Sequence, residues 1–311
     1  MTRVAAIDCG TNSIRLLIAD VDGDALLDVV RRMEIVRLGE GVDRTGRLGD
    51  AGLQRTFAAL EGYAAEIRSY DVERVRMVAT SATRDAANRS VFVDGVVQRL
   101  GVPPEVATGD EEAALSFDGA TRELRTDDGA AFSAPYLVCD IGGGSTEFVL
   151  GDEHGMHSAR SVDVGCVRLT ERHLHDDPPT DAQIAAARAD VRAALDDVRQ
   201  TVDVSTAQTL VGLAGSVTTV VALALGLDRY RPERIHHARV DAADVRRVAT
   251  SLLSMTRTER AALPVMHPGR VDVIGAGALV LDTVVSELGM PAVVASEHDI
   301  LDGIAFSAAG M

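Results

Sequence analysis

Apolar residues come first as short unbroken runs and then as helical stripes, and this order occurs twice along the chain. Val4, Ala5, Ala6 and Ile7 form one run, and Ile14, Leu16, Leu17 and Ile18 form a second after six smaller or polar residues. Short apolar runs bounded by turn residues read as strands, so the pair predicts a β-hairpin. A third strand is expected over 27–38 and a turn through 39–49. From 51 to 69 the apolar positions Leu53, Phe57, Leu60, Ala64 and Ile67 recur at helical spacing. A strand over 75–79, a loop over 80–85, a helix to about 100, a strand over 104–107 and a further helix follow.

The order then restarts. Tyr136 to Cys139 is an apolar run, and Phe148, Val149 and Leu150 are its hairpin partner. A strand over 157–164 and a helix opened by Gly165 come next, with a break at Asp176, Asp177, Pro178 and Pro179. Thr180 caps a long helix to about 203, and a strand over 209–213 leads to helices through 225 and over 242–255. An apolar helix over 271–288, a strand over 292–295 and a last helix from 301 complete the pattern. Strands that precede helices in both halves predict an α/β protein of two similarly built domains, 1–123 and 124–311. The polar stretch 124–135, with Asp127, Asp128, Gly129 and Pro135, is the expected crossing, and the last helix is free to pack back on the first domain.

Both predicted hairpins turn through the same sequence. Asp8-Cys9-Gly10-Thr11-Asn12-Ser13 and Asp140-Ile141-Gly142-Gly143-Gly144-Ser145 share D-x-G-x-x-S. Glycines at such a turn let backbone N–H groups crowd an anion, and an aspartate at a strand end can hold a hard cation that bridges phosphate oxygens. Two such hairpins facing each other would make a cleft for a phosphorylated ligand. The copies differ at one place: Glu147 follows the second loop on the same face as Ser145, where Arg15 follows the first. Arg84 lies on a Thr/Ser-rich loop between a strand and a helix, where anion sites form. Glu111 and Glu112 open a helix, which the helix dipole favours by itself. Ser216 and Thr218 read as a helix cap or a further ligand contact.

Composition narrows the chemistry. At 311 residues, with 46% hydrophobic and 25% charged content, the chain is globular and long enough for two domains. There is no lysine, which excludes a Walker-type phosphate lysine and a Schiff base. Cationic help for a phosphate must come from arginine or a metal ion. The net charge of −16 argues against broad nucleic-acid or anionic-membrane binding. Cys9, Cys139 and Cys166 lack metal or disulfide spacing and read as small buried hydrophobes, and the eight histidines show no metal pattern. No signal peptide precedes Asp8, and the apolar stretch 217–227 falls short of the roughly 20 residues a span needs, so a cytoplasmic protein is expected. A homodimer is compatible with the sequence.

The chain resembles the exopolyphosphatase/guanosine pentaphosphate phosphatase family, within the acetate kinase, sugar kinase, Hsp70 and actin superfamily. The resemblance rests on Ala6 to Ser13 with Arg15, on Ala79-Thr80-Ser81-Ala82-Thr83-Arg84-Asp85-Ala86, and on Gly109-Asp110-Glu111-Glu112-Ala113. It continues in Asp140 to Glu147, in Val164-Gly165-Cys166-Val167-Arg168-Leu169 and in Gly275-Ala276-Gly277-Ala278. It implies two ribonuclease H-like domains around a central cleft and a metal-dependent hydrolase that removes the terminal phosphoryl group of inorganic polyphosphate. The family's catalytic glutamate matches Glu112, with Glu111 the fallback. Asp140 and Glu147, with Asp8, match acidic positions for magnesium or manganese. Thr11, Asn12, Ser13, Arg84, Gly142, Gly143, Gly144 and Ser145 are the implied phosphate contacts. A guanosine pentaphosphate 5′-phosphohydrolase is the alternative, and an ATP-binding kinase-like or actin-like module a further one. Longer relatives carry an additional C-terminal helical region, so this shorter form is expected to favour short polyphosphate or a nucleotide pentaphosphate. Asp302 stands where many relatives carry an arginine before the glycine.

Overall fold

The computed structural model describes residues 1–23, 25–124, 129 and 131–310. The chain forms two units, Met1–Arg122 with Asp299–Met311, and Glu123–His298. The last helix therefore belongs to the first unit, and the second ends at His298 rather than at the final residue. Asp127 and Asp128 of the expected crossing lie outside the described residues.

In the first unit, β1 (Thr2–Cys9), β2 (Ser13–Asp22), β3 (Ala25–Ile35), β4 (Arg74–Ala79) and β5 (Glu105–Val106) form a sheet in the order β3-β2-β1-β4-β5. The first three are antiparallel neighbours, whereas β4 runs parallel to β1 and β5 to β4. Alternate side chains of β1 and β2 go to opposite faces. Ala5, Ile7, Ile14, Leu16 and Ile18 pack with Leu60, Tyr63 and Phe92 from the helices Asp50–Arg68 and Arg89–Leu100. Val4, Ala6, Leu17 and Ala19 pack with Leu301, Ile304 and Phe306 of the terminal helix Ile300–Ala309. Cover on both faces is why these strands read as unbroken apolar runs.

The terminal helix also meets the helix Gly109–Thr121 through a reciprocal glycine contact. A Cβ on Gly119 would lie 2.0 Å from the carbonyl oxygen of Asp299, and one on Gly303 would lie 2.0 Å from that of Leu115. Neither backbone can retreat without moving a helix. Gly303→Ala is expected to cost about 1–3 kcal/mol, read as a lowered midpoint in denaturant unfolding; an unchanged midpoint would show that the helices part freely.

The second unit repeats the plan. β6 (Tyr136–Ile141), β7 (Thr146–Asp152), β8 (Gly155–Val162), β9 (Thr209–Leu213), β10 (Arg239–Asp241) and β11 (Ala292–Ala295) are ordered β10-β11-β9-β6-β7-β8. β6, β7 and β8 are antiparallel, β9 runs parallel to β6 and β11 to β9. The order β8-β7-β6-β9-β11 thus corresponds to β3-β2-β1-β4-β5, and the repeated hairpin is the start of a repeated mixed-sheet α/β domain. The helices Asp181–Arg199, Ala214–Ala224, Ala242–Ser254 and Ile274–Glu287 bury their apolar residues in this unit's core.

Several expectations shift by a few residues. The 80–85 segment is not all loop, since Ser81–Asp85 is a short helix of its own, and the long helix after Thr180 stops at Arg199. The apolar helix expected from 271 begins at Ile274, after a tight turn over Pro268–Arg270. The three-residue β10 is too short to leave a periodic signal.

Candidate functional site

Each repeated loop closes on itself in the same way and is held from behind. In the first, the Gly10 N–H donates to the Ser13 carbonyl at 2.9 Å; in the second, the Gly142 N–H donates to the Ser145 carbonyl at 3.1 Å. The N–H groups of Val36 and Arg37 take the Asn12 carbonyl, and that of Gly39 takes the Thr11 carbonyl. In the second unit the N–H of Cys166 takes the Gly142 carbonyl, those of Val167 and Arg168 take that of Gly143, and the Arg168 Nε takes that of Gly144 at 2.7 Å. A trans peptide plane points its N–H away from its carbonyl. With these carbonyls turned inward, the N–H groups of Asn12 and Ser13, and of Gly143, Gly144 and Ser145, point the other way, as an anion nest requires. The close backing also explains Gly165, where a Cβ would lie 2.4 Å from the Gly143 carbonyl oxygen. Thr11 does not present its hydroxyl to such a ligand: it is buried, with its Oγ1 3.0 Å from the Ser81 Oγ.

What flanks the loops differs sharply. Asp8 and Arg15 are directly opposed on β1 and β2, and the Arg15 Nε and Nη2 donate to the Asp8 Oδ2 at 3.0 and 2.7 Å. The Arg15 Nη1 pairs with the Oδ2 of Asp299, the N-cap of the terminal helix. Burial raises the Asp8 carboxyl above its ordinary range against the pull of Arg15. Burial opposes ionisation of Asp299 too, but Arg15 and the Leu301 N–H win and hold it low. Asp8, expected among the metal ligands, instead faces a guanidinium, and its Oδ1 is buried with no hydrogen-bond partner. Asp302 continues this chain of charges: it is buried, its Oδ2 accepts from the Asp299 N–H at 2.9 Å and its Oδ1 accepts from the Arg31 Nη2 at 2.5 Å.

In the second unit, Asp140 and Glu147 are directly opposed on β6 and β7 and both are buried. Opposed residues share a face, so two carboxylates sit where the first unit has a carboxylate and a guanidinium. The Ser161 Oγ donates to the Glu147 Oε1 at 2.7 Å. Among the described residues, no group of three or more His, Cys, Asp or Glu could hold a metal ion. Two hard carboxylates fit a small divalent cation that keeps several waters and takes its remaining oxygens from a phosphate.

The two candidate glutamates have different surroundings. Thr108 caps the helix Gly109–Thr121 in a capping box, where the Glu111 Oε2 accepts from the Thr108 N–H at 2.8 Å and Oγ1 at 2.9 Å. The hydrogen bond from the Thr108 N–H, then that from its hydroxyl, lowers the Glu111 carboxyl below its ordinary range. Glu112, one position on, is only 4% exposed and its Oε1 pairs with the Arg84 Nη1, which also donates to the Ala107 carbonyl at 3.0 Å. Asn12 and Ser13 are half-buried in the same unit.

Sequence reading passed over Arg270. Its guanidinium lies against Gly215, where a Cβ would be 2.2 Å from Cζ, and its Nη1 donates to the Thr219 Oγ1 at 3.4 Å. Because β6, β9 and β11 are parallel, the second loop, the turn into Ala214–Ala224 and Ser296 to His298 all leave the same end of the sheet. Gly215 next to an arginine half a domain away in sequence has no local signature. The thiols of Cys9 and Cys139 are fully buried, which drives both well above the ordinary range and leaves them unreactive.

A family model described as the Ppx/GppA phosphatase family matches residues 17–310. The chain is 52% identical to Exopolyphosphatase 2 of Mycobacterium tuberculosis, over 100% of this chain and 99% of that one. It is 26% identical to the guanosine-5′-triphosphate,3′-diphosphate pyrophosphatase of Aeromonas salmonicida, over 98% of this chain and 59% of that longer one. Among solved structures, an exopolyphosphatase-like protein superposes with a TM-score of 0.94 at 44% identity, covering 98% of this chain and 97% of the other. The Ppx/GppA protein of Aquifex aeolicus superposes with a TM-score of 0.80 at 28% identity, covering 98% and 97%.

Proposed function

The chain belongs to the Ppx/GppA phosphatase family, and on that premise we propose that it is an exopolyphosphatase, hydrolysing the terminal phosphoanhydride of inorganic polyphosphate to release orthophosphate. The observation that carries this reading is the pair of loops with their amides turned outward, in a chain that offers no lysine for a phosphate. Glu112 acts as general base and takes the proton of a water that attacks the terminal phosphorus; the bond to the bridging oxygen breaks, and the shortened chain leaves with that oxygen. Arg84 and the outward N–H groups of the loops neutralise charge on the phosphoryl oxygens. Asp140 and Glu147 are the residues that would hold magnesium, or manganese in its place, which when bound would supply charge neutralisation to the phosphoryl oxygens and leaving group. A cytoplasmic location accords with three unpaired cysteines and with described residues that include no helix long and apolar enough to cross a membrane.

The match to guanosine-5′-triphosphate,3′-diphosphate pyrophosphatases favours a second reading, hydrolysis of the 5′-terminal phosphate of guanosine pentaphosphate. Both substrates present the same terminal phosphoanhydride. Purified protein with magnesium is expected to release orthophosphate from short polyphosphate, with guanosine pentaphosphate the weaker competitor. A reversed preference would make the second reading the principal one, and no release from either would overturn both.

A further inference from the structure

The terminal helix is strapped to the first sheet by two arginines of neighbouring strands. The half-buried Arg15 of β2 donates from Nε and Nη2 to the Asp8 Oδ2 of β1, at 3.0 and 2.7 Å, and from Nη1 to the Asp299 Oδ2. Asp299 is the N-cap of the helix, and its other oxygen, Oδ1, accepts from the Leu301 N–H at 3.0 Å. Arg31 of β3 donates from Nη2 to the Asp302 Oδ1 at 2.5 Å and from Nε to the Asp28 Oδ2 at 2.7 Å. The Asp302 Oδ2 in turn accepts from the Asp299 N–H at 2.9 Å. Both members of the capping box are therefore tied to the sheet, and the first turn of the helix cannot slide without breaking charge-assisted hydrogen bonds.

What this first turn holds in place is the helix that carries Glu112. The Asp299 carbonyl oxygen fills the space beside Gly119, where a Cβ would lie 2.0 Å away, and Gly303 seats in the same way against the Leu115 carbonyl. Glu112, Leu115, Ser116 and Gly119 recur at i, i+3, i+4 and i+7 of the helix Gly109–Thr121. The face that meets the terminal helix is thus also the one from which Glu112 projects. That contact sets the roll of Glu112 about the helix axis and its position along it. Asp299 spends its side chain on Arg15 and its carbonyl on Gly119, and so is the joint between sheet and helix.

We infer that Arg15 is a positioning residue for hydrolysis: its guanidinium bridges Asp8 to Asp299, fixes the start of the terminal helix on the sheet, and through that helix fixes the orientation of Glu112. All of these residues belong to the first unit. A lysine at this position keeps the charge but not the fork, since an ammonium is a compact point charge that does not hold two carboxylates in one plane. The carboxylates stay neutralised, so the chain is expected to fold, and what is lost is the seating of the terminal helix against the helix of Glu112. A misplacement of about 1 Å at a reacting group can cost about 10²-fold in rate. The effect on turnover rests on the proposed role of Glu112; the coupling between the two helices does not.

Two measurements separate these. Amide hydrogen exchange of the full chain without substrate should be faster over 112–121 and 300–304 in Arg15→Lys, with the helix Asp50–Arg68 and the second unit unchanged. In the phosphate-release assay, Arg15→Lys should lower kcat by about 10–10²-fold with KM unchanged. Introduced into Glu112→Gln, the same change should leave turnover within about twofold of that single variant, because it acts through the group already removed. Asp299→Asn, which keeps an N-cap and an acceptor for Arg15, should show the same split between kcat and KM with a smaller loss. A raised KM would make Arg15 a substrate contact, and a full further loss on top of Glu112→Gln would make its effect independent of Glu112; either result overturns the positioning role. Unchanged exchange in Arg15→Lys would overturn the coupling whether or not polyphosphate is the substrate. Altered exchange in a chain that releases phosphate from neither substrate would remove the proposed function and the effect on turnover, and leave the coupling standing.

Discussion

Glu112→Gln is expected to lower phosphate release by about 10²–10⁴-fold, the range a positioned general base contributes, with kcat reduced and KM little changed. Glutamine can still accept from the Arg84 Nη1, so the loss should not come from unfolding. Near-wild-type secondary structure and a melting temperature lowered by only a few degrees are the accompanying result. Glu111→Gln is the informative contrast. Its side chain belongs to the capping box, which a glutamine also completes, as Gln183 does with Thr180. Turnover and melting temperature should both stay near those of the wild type. A loss of turnover in Glu111→Gln as deep as in Glu112→Gln would move the base to Glu111, and undiminished turnover in Glu112→Gln would remove glutamate from the mechanism.

Asp140→Asn should lower turnover by about 10²–10³-fold, because several kcal/mol of transition-state charge stabilisation depend on the divalent ion. A second readout needs no substrate. Ligands that bind only the folded state raise its melting temperature, so magnesium should stabilise the wild type and lose that effect in Asp140→Asn and in Glu147→Gln. Without metal the Asp140→Asn protein should melt at or above the wild-type temperature, since like charges directly opposed on neighbouring strands are destabilising. An unchanged magnesium-dependent shift in the variant would show that the ion is held elsewhere.

How much of this was legible in the chain depends on range. The two loops and their hairpins were, because an apolar run, a glycine turn and a second run lie within some fifteen residues. The glycine backing of the second loop was partly so, since Gly165 precedes the segment whose N–H groups hold Gly142 and Gly143. The capping box at Thr108 and Glu111 obeys a four-residue signature and could have separated the two glutamates in advance. The second partner of Arg15, beside Asp8, could not be anticipated: Asp299 is 284 residues away and joins it only because the terminal helix returns to the first sheet. Arg270 escaped for the same reason, and the stacking of the His236 and His237 rings, 3.7 Å between centroids, because adjacent residues turn apart in regular structure. Here His237 has φ of +61°, which breaks the regular path and lets the two rings face each other.

The return of the terminal helix also orders events in time. The second unit is one continuous stretch of chain, whereas the first is completed only by residues made after it. While the chain is being synthesised, Val4, Ala6, Leu17 and Ala19 lack Leu301, Ile304 and Phe306 against which to pack. The nascent protein therefore carries an uncovered sheet face through most of translation, a surface that a chaperone or another nascent chain would meet first. The later-made unit is free to fold before the earlier one, and the sheet that bears the first loop matures last.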